Sequence, residues 1–596
     1  MSEQQKASSN ARTADGWMPW VLAAVAVFVL SFQLGTRELA SPDETRYAAI
    51  SRSMVDSGDW LTPVHNFKFK HWHKPPLTYW LMAASFRVLG TNDWAARVPS
   101  AAAALATVMG VYVIGLRLHG RRSGFLAGLV LLASPLFFAL ARLANADMLL
   151  CAFITWSWAA FVLSLFGRRR QTLWFLLGAA FAGLGFMTKG PVVLMSTLVP
   201  MLLYALLANQ WKRIGWWRPL AAVGVFLVVA LPWYVAVCMR NPGLLRYFVE
   251  YQTFQRVATH LHERTEPFTF FFWLVPLGFL PWTVVLPFGV WGSLRRRGNG
   301  SHTDRLRACF SLSWFAVVFA FITLSTSKLA TYCLPLFPAL ALMAGLFIRR
   351  VFEEDSPSRL ARKVLIGTAF VLLIMSGFAA MLRPAAPPDS DQGWLTTLHV
   401  VSGLGMFLIG LAAILVFSKG RWAAGTCWLV AGVLFPLLLS AWIVAGHEDE
   451  LGIGNPGNEL AALIQERVDT DRYREVVAVM YRRYLKELPY YLGHSVICLD
   501  CHIELDYELP DGRKASFYTE EERSALYDGY YRENGRNQLD RMMRLKSRRL
   551  LVVTDRESFD DISTSFMEDD APLVHFIAEV GEFVLCSNHP DTPPEE

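Results

Sequence analysis

A polar segment, Ser41-Pro42-Asp43-Glu44-Thr45-Arg46-Tyr47, sets two carboxylates close to a guanidinium directly after a long apolar run. Asp43 and Arg46, three apart, share one face if the segment is helical. A carboxylate held there could act as a general base or orient an acceptor. A plainer account is also available: Ser41 caps a helix, Pro42 takes its first position, and the acidic residues complement the helix dipole. That account covers Glu44 and, in part, Asp43. The next segment is His71-Trp72-His73-Lys74-Pro75-Pro76-Leu77. Its two prolines end extended structure and open a helix, which fixes where Lys74 points. A lysine pinned at a membrane–water boundary suits a phosphate, or it simply snorkels to the interface. His71 and His73 could bind a metal, but two ligands do not make a site.

Three more clusters lie further along the chain. Asp147 in ALARLANADMLL begins an apolar run, and Lys189 in MTKGP separates two others. Ionisable groups in or beside spans are costly enough to be functional candidates, although a short turn can also leave such a group solvated. Between residues 239 and 268 lie Arg246, Arg256 and Arg264 with His260 and His262. Arginine forks match phosphate oxygens. Lastly, STSKLATY holds Lys328 and Tyr332 just before Leu334-Pro335. Tyr332 could donate to a phosphate or serve as an interfacial belt aromatic.

The elements that must position these residues are membrane spans. The 596 residues are 54% hydrophobic and only 18% charged, with 21 Trp and 40 Phe, and the mean hydropathy is +0.32. Soluble domains carry roughly 25% charge. The apolar run from Trp17 to Gly35 is long enough to span a bilayer and lacks a cleavage-like end, so it reads as a retained first helix. Twelve more candidate spans follow, at about 97–117, 123–141, 146–166, 172–188, 190–208, 218–238, 269–291, 308–325, 331–350, 364–383, 397–417 and 423–445. Pro76–Gly90 is shorter and is taken as a helix lying on the membrane surface. The loops then sort by charge. One set holds runs such as Arg168-Arg169-Arg170, Arg295-Arg296-Arg297 and Arg349-Arg350, whereas the opposite short loops hold Arg142, Lys189, Lys328 and Arg383. The positive-inside rule makes the first set cytoplasmic. Every reactive-looking residue above then faces away from the cytoplasm, together with a first outer loop at 36–96.

The expected fold is therefore an α-helical polytopic membrane domain, residues 1–445 with about 13 spans, followed by a soluble α/β domain, residues 446–596, on the outer, periplasmic face of a bacterial inner membrane. The α/β expectation rests on the β-rich runs Val476–Met480, Ser495–Leu499, Leu550–Thr554 and Phe583–Cys586. Helix-like segments at Glu520–Tyr527 and Gln538–Leu545 lie between them. Within this region Cys498-Leu-Asp-Cys501 reads as structural or incidental, with a bridge or a redox role as the other options.

On these motifs the sequence resembles the lipid A aminoarabinose transferases, within the protein O-mannosyltransferase-like membrane glycosyltransferases. The resemblance is carried by Asp43-Glu44-Thr45-Arg46-Tyr47-Ala48, Ser57-Gly58-Asp59-Trp60, Lys74-Pro75-Pro76-Leu77 with Tyr79-Trp80, and Ala96-Arg97-Val98-Pro99-Ser100. Further matches are Asp147-Met148, Thr188-Lys189-Gly190-Pro191, and Ser327-Lys328 with Tyr332, Leu334-Pro335 and Pro338. It implies a C-type glycosyltransferase architecture and transfer of 4-amino-4-deoxy-L-arabinose from undecaprenyl phosphate to lipid A. It also implies Asp43 as the essential acid supported by Arg46, and Asp147 as a second functional Asp. Lys74, Arg256 and Tyr332 would then hold the carrier phosphate, with His73, Lys189, Arg264 and Lys328 as secondary candidates. In the family the residue before Lys-Pro-Pro is commonly Glu and is His73 here. The loop histidine that can join it at a metal is matched by Tyr251, so a divalent metal stays open and no cofactor is required. No nucleic-acid partner is expected. The alternatives are transfer of another sugar to lipopolysaccharide or protein, a lipid or sugar transporter, and a sensor or scaffold. Transporters place ionisable groups near mid-membrane in repeated halves, whereas here the charges cluster at one surface and no halves repeat.

Overall fold

The computed structural model describes residues 15–589 apart from 41, 67–68, 168, 242, 249–265, 300–301, 354–358, 382–392, 447–454, 471–475, 484, 500–505, 509–513, 517–530, 533–534, 545–548 and 569–570. Helical segments stand at every apolar run. Among the described residues, six helices are long and apolar enough to cross a membrane: Asp93–His119, Ala146–Phe166, Gln171–Lys189, Ala330–Val351, Val400–Ser418 and Ala424–Trp442. Three further helix pairs are apolar enough only when taken together and bend sharply at their junction, as a broken span or a re-entrant loop does. Arg121–Leu132 and Pro135–Ala141 meet at 71°, Trp217–Ala230 and Pro232–Arg240 at 45°, and Phe270–Gly278 and Trp282–Trp291 at 107°. Pro135, Pro232 and Pro281 stand at these breaks, where a missing amide and a bulky ring interrupt the helical ladder. The apolar run after Pro76 forms the helix Leu77–Leu89.

The bundle packs through small residues. A side chain on Gly124 would stand 2.4 Å from the carbonyl oxygen of Tyr112, so the two helices meet backbone to backbone. Deeper in the core, Trp158 stacks on Trp314 with ring centroids 5.2 Å apart.

Between the apolar helix Met18–Ser31 and the helix Asp93–His119 lie the helix Asp43–Ser57, a short antiparallel hairpin and the helix Leu77–Leu89. The hairpin pairs β1 (Val64–His65) with β2 (Phe69–Lys70). Pro42, at φ −94°, occupies the cap position of the first of these helices and Asp43 its first turn. Gly58 ends it in a left-handed conformation, φ 73°. Tyr47, Ile50 and Met54 pack there against Tyr79, Met82 and Phe86 of the following helix.

After the last apolar helix the described residues form ten further strands, beginning with β3 (Val476–Tyr481), β4 (Ile497–Leu499), β5 (Asp506–Glu508), β6 (Lys514–Ser516), β7 (Tyr531–Arg532) and β8 (Arg549–Asp555). It continues with β9 (Met567–Glu568), β10 (Ala571–Pro572), β11 (His575–Val580) and β12 (Phe583–Ser587). Six of them form one mixed sheet in the order β11-β12-β8-β3-β4-β7. Strands β3 and β8 pair in parallel with Val479 opposite Val552, and β12 runs antiparallel to β8. Both faces of this sheet are covered: Leu460, Ile464 and Leu488 lie over one, and Leu539, Phe559 and Ile562 over the other. Burial on both faces explains why β8 reads Leu-Leu-Val-Val without alternation. Cys498 is buried on β4, and Cys501 lies outside the described residues.

A candidate active site at one end of the helical bundle

Asp147 and Lys189 are brought together by helix ends. Asn145 caps the helix Ala146–Phe166, accepting from the Met148 amide at 2.8 Å, and Asp147 sits in its first turn. The neighbouring helix Gln171–Lys189 runs the other way and stops at Lys189, because Gly190 turns to φ +75° and Pro191 follows. An acid at a helix N-terminus and a base at a C-terminus each suit the local dipole. Here both lie at the same end of the bundle, and Lys189 Nζ donates to Asp147 Oδ1. The pair is largely out of water, with Lys189 8% and Asp147 14% exposed. Lys189 Nζ also lies 4.2 Å from the ring centre of Tyr332, a cation–π contact. Tyr332 is carried on the short 3-10 segment Ala330–Leu336.

The first loop closes over this group. Arg46 Nη2 donates to Asp43 Oδ1, and Asp43 is 56% exposed whereas Arg46 is 24% exposed. Tyr47, one residue on, lies within electrostatic reach of Asp43, Asp147 and Tyr332. Burial pushes its phenol up, which keeps it a neutral donor. The Tyr47 ring packs on Tyr79 at 5.6 Å. Lys74 lies near enough to act electrostatically on both Asp147 and His71. Burial, then His73, Arg46, His65 and Lys74, hold His71 well below the usual histidine range, so its ring is neutral. Burial with the Arg46 and Lys486 charges brings His65 down to about 3. His73 Nδ1 is 3.4 Å from Tyr247 Oη.

Of the residues singled out in the sequence, Asp43, Arg46, Lys74, Asp147, Lys189 and Tyr332 therefore gather in one region, with His73 on its border. Lys328 is buried and donates to the Ser325 carbonyl at 2.6 Å. Arg256, Arg264 and Tyr251 lie outside the described residues. Although His71 and His73 rings are 4.8 Å apart, no group of three or more His, Cys, Asp or Glu among the described residues is arranged to hold a metal.

The site also contains a residue whose local sequence suggests only a first-turn acid complementing the helix dipole. Glu44 is 3% exposed and accepts from Arg97 Nε and Nη2 at 3.0 Å each, forming a two-pronged pair with an arginine that is itself 1% exposed. Its carboxylate further accepts from Arg37 at 2.6 Å, the Ala40 amide at 2.9 Å and the Ala144 amide at 2.6 Å. Arg97 spends its remaining donors on the carbonyls of Leu34, Arg37 and Glu38. One buried carboxylate thus ties the helix carrying Asp43 to the turn that leads into Asp147. The sequence clue was an arginine in the apolar Ala-Ala-Arg-Val-Pro run, since a guanidinium at such a place needs an acid.

Two cations and a phenol beside an acid, under a loop with a second, exposed acid, suit a phosphate group and an acceptor side by side. Fold and site together define a class, the polytopic membrane glycosyltransferases. Residues 73–235, which include Lys74, Asp147 and Lys189, match the family model described as dolichyl-phosphate-mannose-protein mannosyltransferase. A relative from Edwardsiella ictaluri, an undecaprenyl phosphate-alpha-4-amino-4-deoxy-L-arabinose arabinosyl transferase, is 30% identical over 415 residues, 68% of this chain and 71% of its own length. Another of that description, from Sodalis glossinidius, is 31% identical over 446 residues, 72% of this chain and 78% of its own. The chain belongs to this family of arabinosyl transferases. Its fold is also that of the crystal structure of ArnT from Cupriavidus metallidurans bound to undecaprenyl phosphate, with a TM-score of 0.77 at 24% identity over 97% of this chain and 98% of that one.

Proposed function

We propose that the chain transfers 4-amino-4-deoxy-L-arabinose from undecaprenyl phosphate to lipid A at the periplasmic face of a bacterial inner membrane. The observation that carries this reading is the meeting of Lys74, Lys189 and Tyr332 around Asp147, next to the exposed Asp43 carboxylate. In the reaction an acceptor oxygen forms a bond to the anomeric carbon as the bond from that carbon to the carrier's phosphate oxygen breaks. The electron pair leaves on undecaprenyl phosphate. Lys74 and Lys189, together with Arg256 as the family resemblance implies, stabilise the charge that grows there, and the Tyr332 phenol donates to it. A lipid A phosphate is already anionic near neutral pH, so Asp43 mainly positions it; for a hydroxyl acceptor Asp43 takes the proton. Nucleotide sugars are absent from that face, which accounts for a lipid-linked donor.

The same reading divides the chain into a membrane domain, 1–445, crossing 13 times, and a periplasmic domain, 446–596. The basic loops support the orientation. Lipid A from a strain lacking the gene, compared by mass spectrometry with lipid A from the complemented strain, tests the whole reading. Complementation adds aminoarabinose; an unchanged lipid A, or a different sugar, overturns it. Within the site, Lys189→Met leaves Asp147 without its partner and removes a cation from the phosphate, so KM for the lipid-linked donor rises about tenfold or more. Initial rates against donor concentration check this, and an unaltered KM removes Lys189 from the donor site.

A further inference from the structure

The hairpin that leads into Lys74 is finished by residues more than 400 positions away. Asn66, at its turn, is fully buried and adopts a left-handed backbone, φ 48°, which asparagine tolerates better than most residues. Its side-chain amide donates to the Val496 carbonyl at 2.9 Å and accepts from the Val496 amide at 3.0 Å. The side chain thereby pairs with one residue of main chain as a β-partner does, immediately before β4. Phe69, on β2, is 3% exposed and belongs to the apolar core over the C-terminal sheet, with Leu460, Ile464, Leu488 and Leu585.

The exchange runs both ways. Tyr490, from the C-terminal part, is 2% exposed and belongs to the cluster that contains Tyr47, Tyr79 and Met82. It stacks on Phe86 at 6.3 Å, and its hydroxyl donates to Asp93 at 3.3 Å. Arg52, on the helix that carries Asp43, donates to the Tyr490 carbonyl. Glu38 accepts from the Asn455 amide at 2.7 Å. Each side therefore contributes an aromatic residue to the other's core.

From Phe69 the chain has little freedom before Lys74. The His71 amide donates to the Pro63 carbonyl at 2.8 Å, extending the hairpin ladder, and Trp72 is 1% exposed against Trp233. Pro75 and Pro76 then fix the entry to the helix Leu77–Leu89. We propose that the C-terminal sheet is a working part of the transferase: through Asn66 and Phe69 it sets the hairpin, and the hairpin sets Lys74 against the carrier phosphate. Asn66 and Phe69 are positioning residues, since neither reaches the phosphate. This rests on the reading of Lys74 as a phosphate-binding residue of an aminoarabinose transferase.

A double-mutant cycle on the full chain in nanodiscs separates this role from general stability. The measured quantities are kcat, KM for the lipid-linked donor, and the affinity for undecaprenyl phosphate alone. Asn66→Ala raises the donor KM and weakens undecaprenyl phosphate binding about tenfold, with kcat within about twofold of the parent. In a Lys74→Ala background the same substitution has no further effect, because the lysine it positions is gone. Phe69→Leu, which keeps the apolar contact but shortens it, gives the same split at smaller amplitude and serves if Asn66→Ala fails to accumulate. Equal losses in both backgrounds, or a folded Asn66→Ala protein with the parental KM, overturn the proposal. Failure of the underlying reading looks different: the unsubstituted chain then neither binds undecaprenyl phosphate nor transfers aminoarabinose.

Discussion

Asp43→Asn lowers kcat for transfer by about a thousandfold while the protein stays folded and still binds the carrier lipid. The substitution keeps the size of the side chain and removes its charge. Stability changes little, because Asp43 is 56% exposed at the start of a helix, and a charge at that position contributes only about 0.3–1 kcal/mol. On the proposed reading, what is lost is the acid beside the acceptor, together with the anchor for Arg46. Carrier binding is then spared, because that reading assigns the phosphate end of the donor to Lys74, Lys189 and Tyr332. Initial rates in membranes, with undecaprenyl phosphate binding measured in parallel, decide the matter. A variant with full activity returns Asp43 to the role of a helix-terminal charge.

The second large effect is on stability. Glu44→Ala strands Arg97 in a site where it is 1% exposed, and removing one partner of such a pair costs about 3–5 kcal/mol. Arg97→Ala costs a similar amount, because Glu44 then keeps only Arg37 and two amides. Thermal unfolding in detergent measures both, and a Glu44→Ala protein within about 1 kcal/mol of the parent would remove the network from the account. The pH dependence follows with a definite sign. Burial pushes the Glu44 carboxyl up, but Arg97 and Arg37 outweigh it and hold the group below its ordinary 4.5. The unfolded chain therefore takes up the proton first, so the contribution is whole above 4.5 and is lost as pH falls through the folded value. His65 and His71 act in the same direction at higher pH. Both are held below 6.5, so from 6.5 downward the unfolded chain binds protons that the folded one does not, and the melting temperature falls.

Local patterns in the sequence carried much of this. Asp43 with Arg46, and Lys74 before two prolines, are spacings of a few residues whose geometry a helix start or a proline largely dictates. The β-rich runs Val476–Met480 and Leu550–Thr554 mark the strands Val476–Tyr481 and Arg549–Asp555 to within a residue at each end, since a sheet covered on both faces needs no alternation. Glu44 was different. Its five donors come from Arg37, Ala40, Arg97 and Ala144, and no local pattern distinguishes such a residue from an ordinary first-turn acid. Lys189 reads in sequence as a secondary candidate that a solvated turn explains equally well, because its partner is 42 residues away across a helix pair. The sharp bends within three apolar runs were hidden for another reason: hydropathy stays continuous through Ser134-Pro135 even though the helix direction changes by 71°.

The pairing of Asn66 with Val496 also bears on how the protein is made. The two residues are 430 positions apart, and at 5–20 residues per second a ribosome needs about 20–90 s to travel between them. Through that interval the first loop has emerged without the main chain it pairs with, and Phe69 lacks the core that covers it. The transmembrane helices inserted during the same period are in place before the catalytic loop is complete. A polypeptide stalled before residue 476 is thus a membrane-inserted but unfinished enzyme with an exposed aromatic knob, a form that quality-control proteases and chaperones can distinguish from the mature one.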